Sequence, residues 1–172
     1  QMCIRDSNNA EHRNPKLLDA LIKKYNVDVM TVTPSLMKIN YDNREPDTAL
    51  ARVKNMVFGG EPLPEKFVQD LRALADDITI YNIYGPSEIT ILSNVQNLNG
   101  EKEITIGPPI LNTQIYILDK NMKQVPIGVI GEIYIGGIQV GDGYIGKAEM
   151  TAERFLKNPF GSGKIYKSGD IG

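Results

Sequence analysis

Apolar positions in the first half of the chain follow two alternating periods, which predict alternating helices and strands. Apolar residues recur at helical spacing over 15–25, and the β-branched run 27–32 that follows is typical of a buried strand. The same order then recurs, with an apolar strand at 55–58, a helix that opens at Pro64 and a strand at 78–81. Strands separated by helices in this way favour a parallel sheet with crossover helices.

The pattern changes after residue 97 to short apolar stretches separated by glycine turns. Strands are predicted over 114–119 and 132–135, a helix over 149–156, and a last short strand over 164–167. Short strands joined by glycine turns are typical of an antiparallel sheet or a partial barrel. We therefore predict an α/β protein in which a parallel α/β sheet segment precedes a mostly antiparallel, distorted barrel-like β segment.

These patterns divide the chain into three stretches. The α/β part covers residues 10–97, and the β-rich part covers residues 98–172. Residues 1–9 show no cap, period or turn that joins them to the first helix, so we interpret them as a non-native leader. Because the chain ends at Gly172 directly after a motif, we expect it to be an internal fragment.

Composition and charge narrow the classes of function. The chain has 172 residues, of which 41% are hydrophobic and 23% charged, as is typical of a globular protein. Lysine and arginine number 19 against 21 acids, so the net charge of -2 gives no reason to expect a nucleic acid or an anionic membrane as partner. The single cysteine, Cys3, excludes an intrachain disulfide and a cysteine-rich metal site. Neither a membrane-spanning apolar run nor a signal peptide is recognisable, so we expect a cytoplasmic location.

Two glycines and an acid, Gly59-Gly60-Glu61, follow the predicted strand 55–58. Ligands of open α/β sheets bind at the carboxyl ends of the parallel strands. The two glycines would let a flat ligand approach the backbone closely. A strand-to-helix turn without any ligand explains the segment equally well, so both interpretations stay open.

The segment Asn82-Ile83-Tyr84-Gly85-Pro86-Ser87-Glu88 also follows a predicted parallel strand and carries several reactive groups. The Asn82 amide can pair with an adenine edge, and the Tyr84 ring offers a stacking surface. The Ser87 hydroxyl suits a phosphate oxygen, and the Glu88 carboxylate is a hard oxygen ligand that suits Mg²⁺. A plain Gly-Pro turn is the alternative.

Asp170 ends a second motif, Tyr166-Lys167-Ser168-Gly169-Asp170. Its two carboxylate oxygens can accept hydrogen bonds from both hydroxyls of a ribose, with an Asx-type turn as the alternative. Together the two motifs supply a ring for a base, donors for phosphate, an acid for a metal and an acid for ribose. This combination favours a nucleotide site.

Two glycine-rich segments formally resemble phosphate-binding patterns but do not fit them. Gly141–Gly146 has the spacing G-x-G-x-x-G, yet no helix begins within it and no first strand of a βαβ unit precedes it, so we interpret it as a structural turn. The run Gly161-Ser162-Gly163-Lys164 lacks the first glycine of a phosphate loop, since Asn158 stands there. His12 is the only histidine, which excludes a multi-histidine metal site.

In combination, the motifs resemble those of the adenylation domains of nonribosomal peptide synthetases, within the superfamily of acyl-adenylate-forming enzymes. Residues 82–88 resemble the adenine- and metal-binding motif, residues 131–155 the next core motif, and residues 166–170 the ribose-binding motif. The resemblance covers residues 15–172. It implies part of the large N-terminal subdomain of such an enzyme, truncated before the C-terminal lid.

The resemblance also implies a role for individual residues. The residues that would bind the nucleotide are Gly59, Gly60, Glu61, Asn82, Tyr84, Ser87 and Asp170. The catalytic pair would be Ser87, at the α-phosphate, and Glu88, which would hold Mg²⁺. The residues that would line the amino-acid pocket are Thr31, Val57, Gly59, Ile83, Ile91 and Leu92. That lining is mostly apolar, which favours a hydrophobic amino acid. Asp142 departs from the family pattern, which often has arginine at this position.

The implied reaction activates an amino acid with ATP as an aminoacyl-adenylate and passes it to the phosphopantetheine thiol of a carrier domain. Carrier and condensation domains of the same assembly line are therefore the implied partners. The family's phosphate loop, its amino-group aspartate and its lid lysine are not found in the 172 residues, so we expect this fragment alone to be inactive. An acyl-CoA or aryl-CoA ligase fragment and a non-catalytic nucleotide-binding module are the alternatives.

Overall fold

The computed structural model describes residues 6–172 and divides them into two compact units. The first unit contains the chain up to Ile83 and the segment Gln96–Gly107. The second unit contains Tyr84–Val95 and Pro108–Gly172.

Helices and strands alternate through the first unit, as the sequence pattern predicts. The elements are α1 (Asn9–His12), α2 (Pro15–Tyr25), β1 (Val29–Val32), α3 (Pro34–Asp42), a 3-10 turn (Ala49–Arg52), β2 (Asn55–Phe58), α4 (Glu65–Arg72), β3 (Thr79–Tyr84) and β4 (Asn94–Asn97). The last two strands cross the division between the units, since Tyr84, Asn94 and Val95 belong to the second unit.

Side-chain caps and prolines set where the helices begin. The amide oxygen of Asn14 accepts hydrogen bonds from the first turn of α2, and Pro15 supplies the fixed φ of the first helical position. Thr33 caps α3 in the same way, directly before Pro34. The helix α2 ends at Tyr25, and the capping residue Asn26 adopts the left-handed conformation with φ 49°. None of the helices in the described residues is long and apolar enough to span a membrane.

The short helix α1 lies partly inside the stretch interpreted as a leader. Asn8 caps this helix through its side-chain oxygen, and the Asn40 amide donates a 2.7 Å hydrogen bond to the carbonyl of His12, which binds α1 to α3. Residues 1–5 lie outside the described residues. The interpretation of residues 1–9 as a non-native leader therefore stays a prediction.

The sheet of the first unit has the strand order β1-β2-β3-β4. Its first three strands pair in parallel, because the helices α3 and α4 carry the chain back between them. β4 runs antiparallel to β3, since Ser93 N–H donates to the carbonyl of Tyr84 and Leu98 N–H donates to that of Ile80. The predicted parallel α/β segment is confirmed, with one antiparallel edge strand added.

One face of this sheet is buried against helices. Met56, Phe58 and Ile80 point into the core, where they meet Phe67 and Leu71 of α4. The rings of Phe58 and Phe67 pack edge to face with centroids 6.0 Å apart. Because successive side chains of a strand alternate, the odd-numbered residues of these strands point to the opposite face.

The second unit is built on an antiparallel sheet. Its elements are a 3-10 turn (Ser87–Ile89), β5 (Thr113–Leu118), β6 (Glu132–Gly137), α5 (Ala148–Arg154), β7 (Phe155–Lys157) and β8 (Lys164–Ile171). The strand order is β5-β6-β8-β7, with every neighbouring pair antiparallel. β5 and β7 form its two edges, so the predicted antiparallel segment is confirmed as an open sheet rather than a closed barrel.

Two boundaries in the second unit differ from the sequence prediction. The helix predicted over 149–156 ends at Arg154, because the next residue starts β7 and pairs with β8. The strand predicted over 164–167 continues to Ile171. Its pairing with β6 shifts register once, near Gly169, whose φ of +87° favours glycine. The longer strand therefore includes Asp170, which the sequence pattern placed after the strand.

Candidate functional site

Tyr84 and Asp170 are 86 residues apart in the chain and are directly hydrogen bonded in the second unit. The Tyr84 hydroxyl donates to Oδ2 of Asp170 at 2.5 Å. Burial, together with this hydrogen bond, raises the pKa of the half-buried Tyr84 phenol far above its usual range. The phenol therefore stays protonated and keeps donating. The structure thus brings together two residues that the sequence predicts at opposite ends of a nucleoside.

The backbone turn before Asp170 fixes the position of its carboxylate. Ser168 accepts a 3.0 Å hydrogen bond from the Asp170 N–H, and its hydroxyl donates to the carbonyl of Ile133 at 2.7 Å. The N–H of Gly169 donates to the carboxylate of Glu132 at 3.1 Å. The Asp170 side chain is exposed, so it is accessible to a ligand.

Glu88 lies in the 3-10 turn after β3, and two tyrosines from other elements surround its carboxylate. The Tyr144 hydroxyl donates to Oε1 of Glu88 at 2.6 Å, and the Tyr166 hydroxyl lies 3.4 Å from that of Tyr144. The hydrogen bond from Tyr144 lowers the pKa of Glu88, and the positive charge of Arg154 acts in the same direction. Glu88 is therefore ionised at neutral pH.

An ionised carboxylate of this kind fits Mg²⁺, which prefers hard oxygen ligands. Among residues 6–172, no group of three or more His, Cys, Asp and Glu side chains could hold a metal ion. Mg²⁺ commonly uses only one or two carboxylates and completes its coordination with water and substrate phosphates. Glu88 is consequently compatible with a metal that is shared with a nucleotide.

The turn between Tyr84 and Ser87 is shaped by Gly85. A Cβ atom at Gly85 would lie 2.5 Å from the carbonyl oxygen of Ile91 and 2.7 Å from Cα of Leu92, so the chain folds back too closely for any side chain. Ser87 itself is exposed, and its hydroxyl is accessible beside Glu88. Ile91 and Leu92, which the sequence assigns to the amino-acid pocket, follow directly in this folded-back segment.

In the first unit, the predicted glycine turn follows β2. A Cβ atom at Gly59 would lie 2.6 Å from the side chain of Ile83, and Gly60 adopts a φ of +80°. Glu61 accepts hydrogen bonds from both the hydroxyl and the N–H of Ser35, the latter at 3.0 Å, and these bonds lower its pKa. The Glu61 carboxylate therefore binds the first turn of α3. The position of Glu61 beside an adenine stays a prediction.

Asn82 is buried in the first unit, with 8% of its surface exposed. One N–H of its amide donates to the carbonyl of Thr105 at 2.7 Å. This bond fixes the side-chain orientation and uses one of the two N–H groups of the amide. Recognition of an adenine edge by Asn82 stays a prediction.

Four of the predicted pocket residues share the face of the sheet that lies away from the core. Thr31 and Val57 are aligned on neighbouring parallel strands, and Gly59 contacts Ile83 two residues further along. Thr31 is exposed and Val57 is half-buried. The structure thus groups these four in the first unit, whereas Ile91 and Leu92 belong to the second.

Sequence reasoning misses Tyr144, whose hydroxyl contacts Glu88. The segment Gly141–Gly146 indicates only a structural turn by its sequence, and its glycines do adopt turn conformations at Gly143 and Gly146. The signal that could have found Tyr144 is its position among closely spaced glycines. Such glycines allow a loop to approach another segment, but they do not say which segment it approaches.

The family model described as "AMP-binding enzyme" matches residues 1–145. Among curated relatives, the dimodular nonribosomal peptide synthase of Bacillus subtilis is 38% identical over 92% of this chain and 7% of its own length. Tyrocidine synthase 3 of Brevibacillus parabrevis is 37% identical over 94% of this chain and 2% of its own length. The chain therefore spans only a small part of the relatives that it matches.

The solved structures that this chain resembles also include nonribosomal peptide synthetases. A four-domain nonribosomal peptide synthetase bound to AMP and glycine has a TM-score of 0.85 and 28% identity over 96% of this chain and 12% of its own. A nonribosomal peptide synthetase protein containing adenylation and PCP domains has a TM-score of 0.81 and 26% identity over 91% of this chain and 33% of its own. The resemblance predicted from the motifs is confirmed by these matches.

Proposed function

The chain belongs to the family of AMP-binding enzymes, and we propose that its full-length protein is a ligase that activates an amino acid with ATP. A carboxylate oxygen of the amino acid attacks the α-phosphorus of ATP and forms a new P–O bond. The bond from the α-phosphorus to the bridging oxygen breaks, and pyrophosphate leaves. The aminoacyl-adenylate then gives its acyl group to the phosphopantetheine thiol of a carrier domain, and AMP is released.

The observation that carries this proposal is the hydrogen bond between Tyr84 and Asp170. It holds an aromatic ring and an exposed carboxylate at a fixed relative position, and a nucleoside offers a base and a ribose diol in a similarly fixed relation. We assign the ring of Tyr84 to the base. The carboxylate of Asp170 can accept further hydrogen bonds beside the one from Tyr84, and we assign these to the ribose hydroxyls.

The charged part of the substrate is assigned to Ser87 and Glu88. The exposed hydroxyl of Ser87 can donate to an oxygen of the α-phosphate. Mg²⁺ held by Glu88 would neutralise charge on the phosphates as pyrophosphate leaves. The protein contributes mainly position and charge, since a displacement at phosphorus needs its reactants in line and its negative charge compensated.

The family resemblance also assigns residues to adenine and to the amino acid. Gly59, Gly60, Glu61 and Asn82 would border the base, in line with the family resemblance. The residues proposed for the amino-acid pocket are Thr31, Val57, Gly59, Ile83, Ile91 and Leu92. Because this lining is mostly apolar, we propose a hydrophobic amino acid as substrate.

Partners are proposed from the relatives. The curated relatives are many times longer than this chain, and one solved relative contains adenylation and PCP domains. We propose carrier and condensation domains of one assembly line as partners of the full-length protein. The resemblance places the phosphate loop and lid lysine outside these 172 residues, so we propose that the isolated segment does not complete the reaction.

Amino-acid-dependent exchange between ATP and labelled pyrophosphate tests the proposal on the full-length protein. Hydrophobic, polar and charged amino acids are compared one by one, with the reaction lacking an amino acid as the background. We expect exchange above background with at least one hydrophobic amino acid. Exchange with none of them contradicts amino-acid activation, and exchange that requires a fatty or aryl acid assigns the protein to the acyl-CoA or aryl-CoA ligases instead.

A further inference from the structure

The loop before α5, residues 138–147, contacts Glu88 and Thr90 through both backbone and side-chain atoms. The N–H of Gly141 donates to the carbonyl of Glu88 at 2.8 Å, and the Thr90 hydroxyl donates to the carbonyl of Gln139 at 2.9 Å. The Tyr144 hydroxyl then donates to Oε1 of the same glutamate at 2.6 Å. Three hydrogen bonds therefore join this loop to the turn that carries Glu88.

Glycines allow this loop to approach both of its neighbours closely. A Cβ atom at Gly141 would lie 3.0 Å from the carbonyl oxygen of Glu88. Gly143 has a φ of +142°, and a Cβ atom there would collide with the side chain of Thr151 on α5. The N–H of Tyr144 donates to the Thr151 hydroxyl at 2.8 Å. The backbone of Tyr144 is thereby fixed on α5 while its side chain extends to Glu88.

The ring of Tyr144 is held by aromatic packing. It meets the Phe155 ring edge to face with centroids 5.3 Å apart, and Phe155 in turn contacts the Tyr166 ring at 5.2 Å. The hydroxyls of Tyr144 and Tyr166 lie 3.4 Å apart. Since the Tyr144 hydroxyl donates its hydrogen bond to Glu88, its oxygen can accept one from the Tyr166 hydroxyl.

A glutamate side chain has three rotatable bonds, so an unsupported carboxylate samples many positions. The hydrogen bond from Tyr144 fixes Oε1 of Glu88 and thereby limits the positions that Oε2 can take. Hydrogen bonds from side chains that orient a metal ligand commonly govern how well that ligand binds.

We propose that Tyr144, itself oriented by Tyr166, is a positioning residue that holds the Glu88 carboxylate in the orientation that binds the divalent cation of a metal–nucleotide complex. This inference rests on the proposed function, in which Glu88 is the Mg²⁺ ligand. It assigns a role to the segment Gly141–Gly146, whose sequence alone indicates only a turn.

The test measures metal binding without turnover. Mn²⁺, which stands in for Mg²⁺, is titrated into the full-length protein with a non-hydrolysable ATP analogue, and bound Mn²⁺ is followed by electron paramagnetic resonance. We expect Tyr144→Phe to raise the Kd for Mn²⁺ by about 10-fold, the lower end of the range for residues that orient a metal ligand. Nucleotide affinity measured without any metal should equal that of the unmodified protein, because Tyr144 is proposed to act only through the metal ligand.

Tyr116→Phe is the matched control, because it also removes one tyrosine hydroxyl from the second unit. The Tyr116 ring stacks on Phe160 at 4.7 Å and lies on β5. We expect its Mn²⁺ affinity to equal that of the unmodified protein. Equal affinities in Tyr144→Phe and the unmodified protein overturn the proposal.

A double variant separates positioning from a general structural effect. If Tyr144 acts through Glu88, then Tyr144→Phe should change Mn²⁺ affinity far less in a Glu88→Gln background than in the unmodified protein. An equal loss in both backgrounds overturns the proposal.

If Tyr144→Phe does not fold, Tyr166→Phe provides the test, with a smaller loss of Mn²⁺ affinity expected and no loss overturning it. An unmodified protein that binds no Mn²⁺ with the nucleotide contradicts the proposed role of Glu88 as well. If Tyr144→Phe and Tyr166→Phe bind Mn²⁺ as tightly as the unmodified protein while Glu88→Gln binds it more weakly, only this inference is removed and the proposed role of Glu88 stands.

Discussion

The hydroxyl of Tyr84 donates a 2.5 Å hydrogen bond to Oδ2 of Asp170, and this bond connects the last residue of β3 with the end of β8. The phenol stays protonated, because burial and the carboxylate raise its pKa, so the bond persists over the whole working pH range. It fixes one oxygen of Asp170 and thereby orients the whole carboxylate. An acid oriented in advance binds a diol without first losing side-chain freedom.

Tyr84→Phe is predicted to keep the ring and lose the orientation of Asp170. A hydrogen bond of this kind contributes about 1 kcal/mol, so we expect KM for ATP to rise roughly fivefold. The measurement is pyrophosphate exchange by the full-length protein over a range of ATP concentrations. Tyr116→Phe, which removes a hydroxyl elsewhere in the second unit, should leave KM unchanged. A KM for Tyr84→Phe equal to that of the unmodified protein would argue against this role for the bond.

Gly85→Ala is predicted to destabilise the turn between Tyr84 and Ser87. The added methyl group would lie 2.5 Å from the backbone oxygen of Ile91, and backbone cannot move aside as a flexible side chain can. We expect a loss of about 2 kcal/mol in the free energy of unfolding, within the range for overpacked sites. Urea unfolding followed by circular dichroism measures the change.

Gly161→Ala is the control for that substitution. A Cβ atom at Gly161 meets its nearest neighbour, Asn158 Nδ2, at an ordinary distance of 3.5 Å. We expect its free energy of unfolding to stay within about 0.5 kcal/mol of the unmodified protein. If both alanine variants were equally stable, the close approach at Gly85 would not limit the size of its side chain.

Local sequence patterns predict the strand at 55–58 with its observed boundaries, because a short apolar run is stopped there by two glycines. They fail at the helix predicted over 149–156, where helical spacing of apolar residues continues past Arg154. Pairing of Phe155 with β8 decides the conformation at that point, and a pairing partner is not visible in local spacing.

In the candidate site, too, contacts between residues distant in the sequence are not visible in local patterns. Tyr84, Glu88 and Asp170 are predicted from residue chemistry within short motifs. The hydrogen bond from Tyr144 to Glu88 joins residues 56 positions apart, and it depends on how a glycine loop packs against a turn. Chemistry within a motif can be predicted from the sequence, whereas contacts between motifs require the fold.

Asp19→Ala is predicted to destabilise the first unit. Burial alone would raise the pKa of Asp19, but hydrogen bonds from the Thr48 hydroxyl and the Ala49 N–H outweigh it and lower the pKa below its ordinary value of 3.8. Loss of the carboxylate leaves both buried donors unpaired, so we expect a loss of about 2 kcal/mol near pH 7. Asp28→Ala, which removes an exposed partner of Lys54, should cost less than about 1 kcal/mol.

The stabilisation that the Asp19 carboxylate gives to the fold should decrease as the pH falls. A carboxyl group whose folded pKa is lower than its unfolded pKa stabilises the fold fully above the unfolded value. That part of the stability is lost as the pH falls below about 4 and through the folded pKa. Urea unfolding at several pH values should therefore show the difference between the unmodified protein and Asp19→Ala shrinking in acid. A difference that stays constant from about pH 7 to about pH 3 would contradict the assignment.

Glu88→Gln is predicted to weaken the dependence of the reaction on Mg²⁺. The substitution keeps the shape of the side chain and an oxygen that can accept from Tyr144, but it removes the negative charge. Loss of a group that merely supports a metal ligand costs about 10- to 100-fold in activity or affinity, so loss of the ligand's charge should cost at least as much. The measurement is pyrophosphate exchange at increasing Mg²⁺, where we expect a much higher concentration for half-maximal rate. Glu149→Gln, an exposed glutamate on α5, is the control for a lost charge and should behave as the unmodified protein does. An unchanged Mg²⁺ dependence in Glu88→Gln would remove Glu88 from the metal site, and with it the reason for the hydrogen bond from Tyr144.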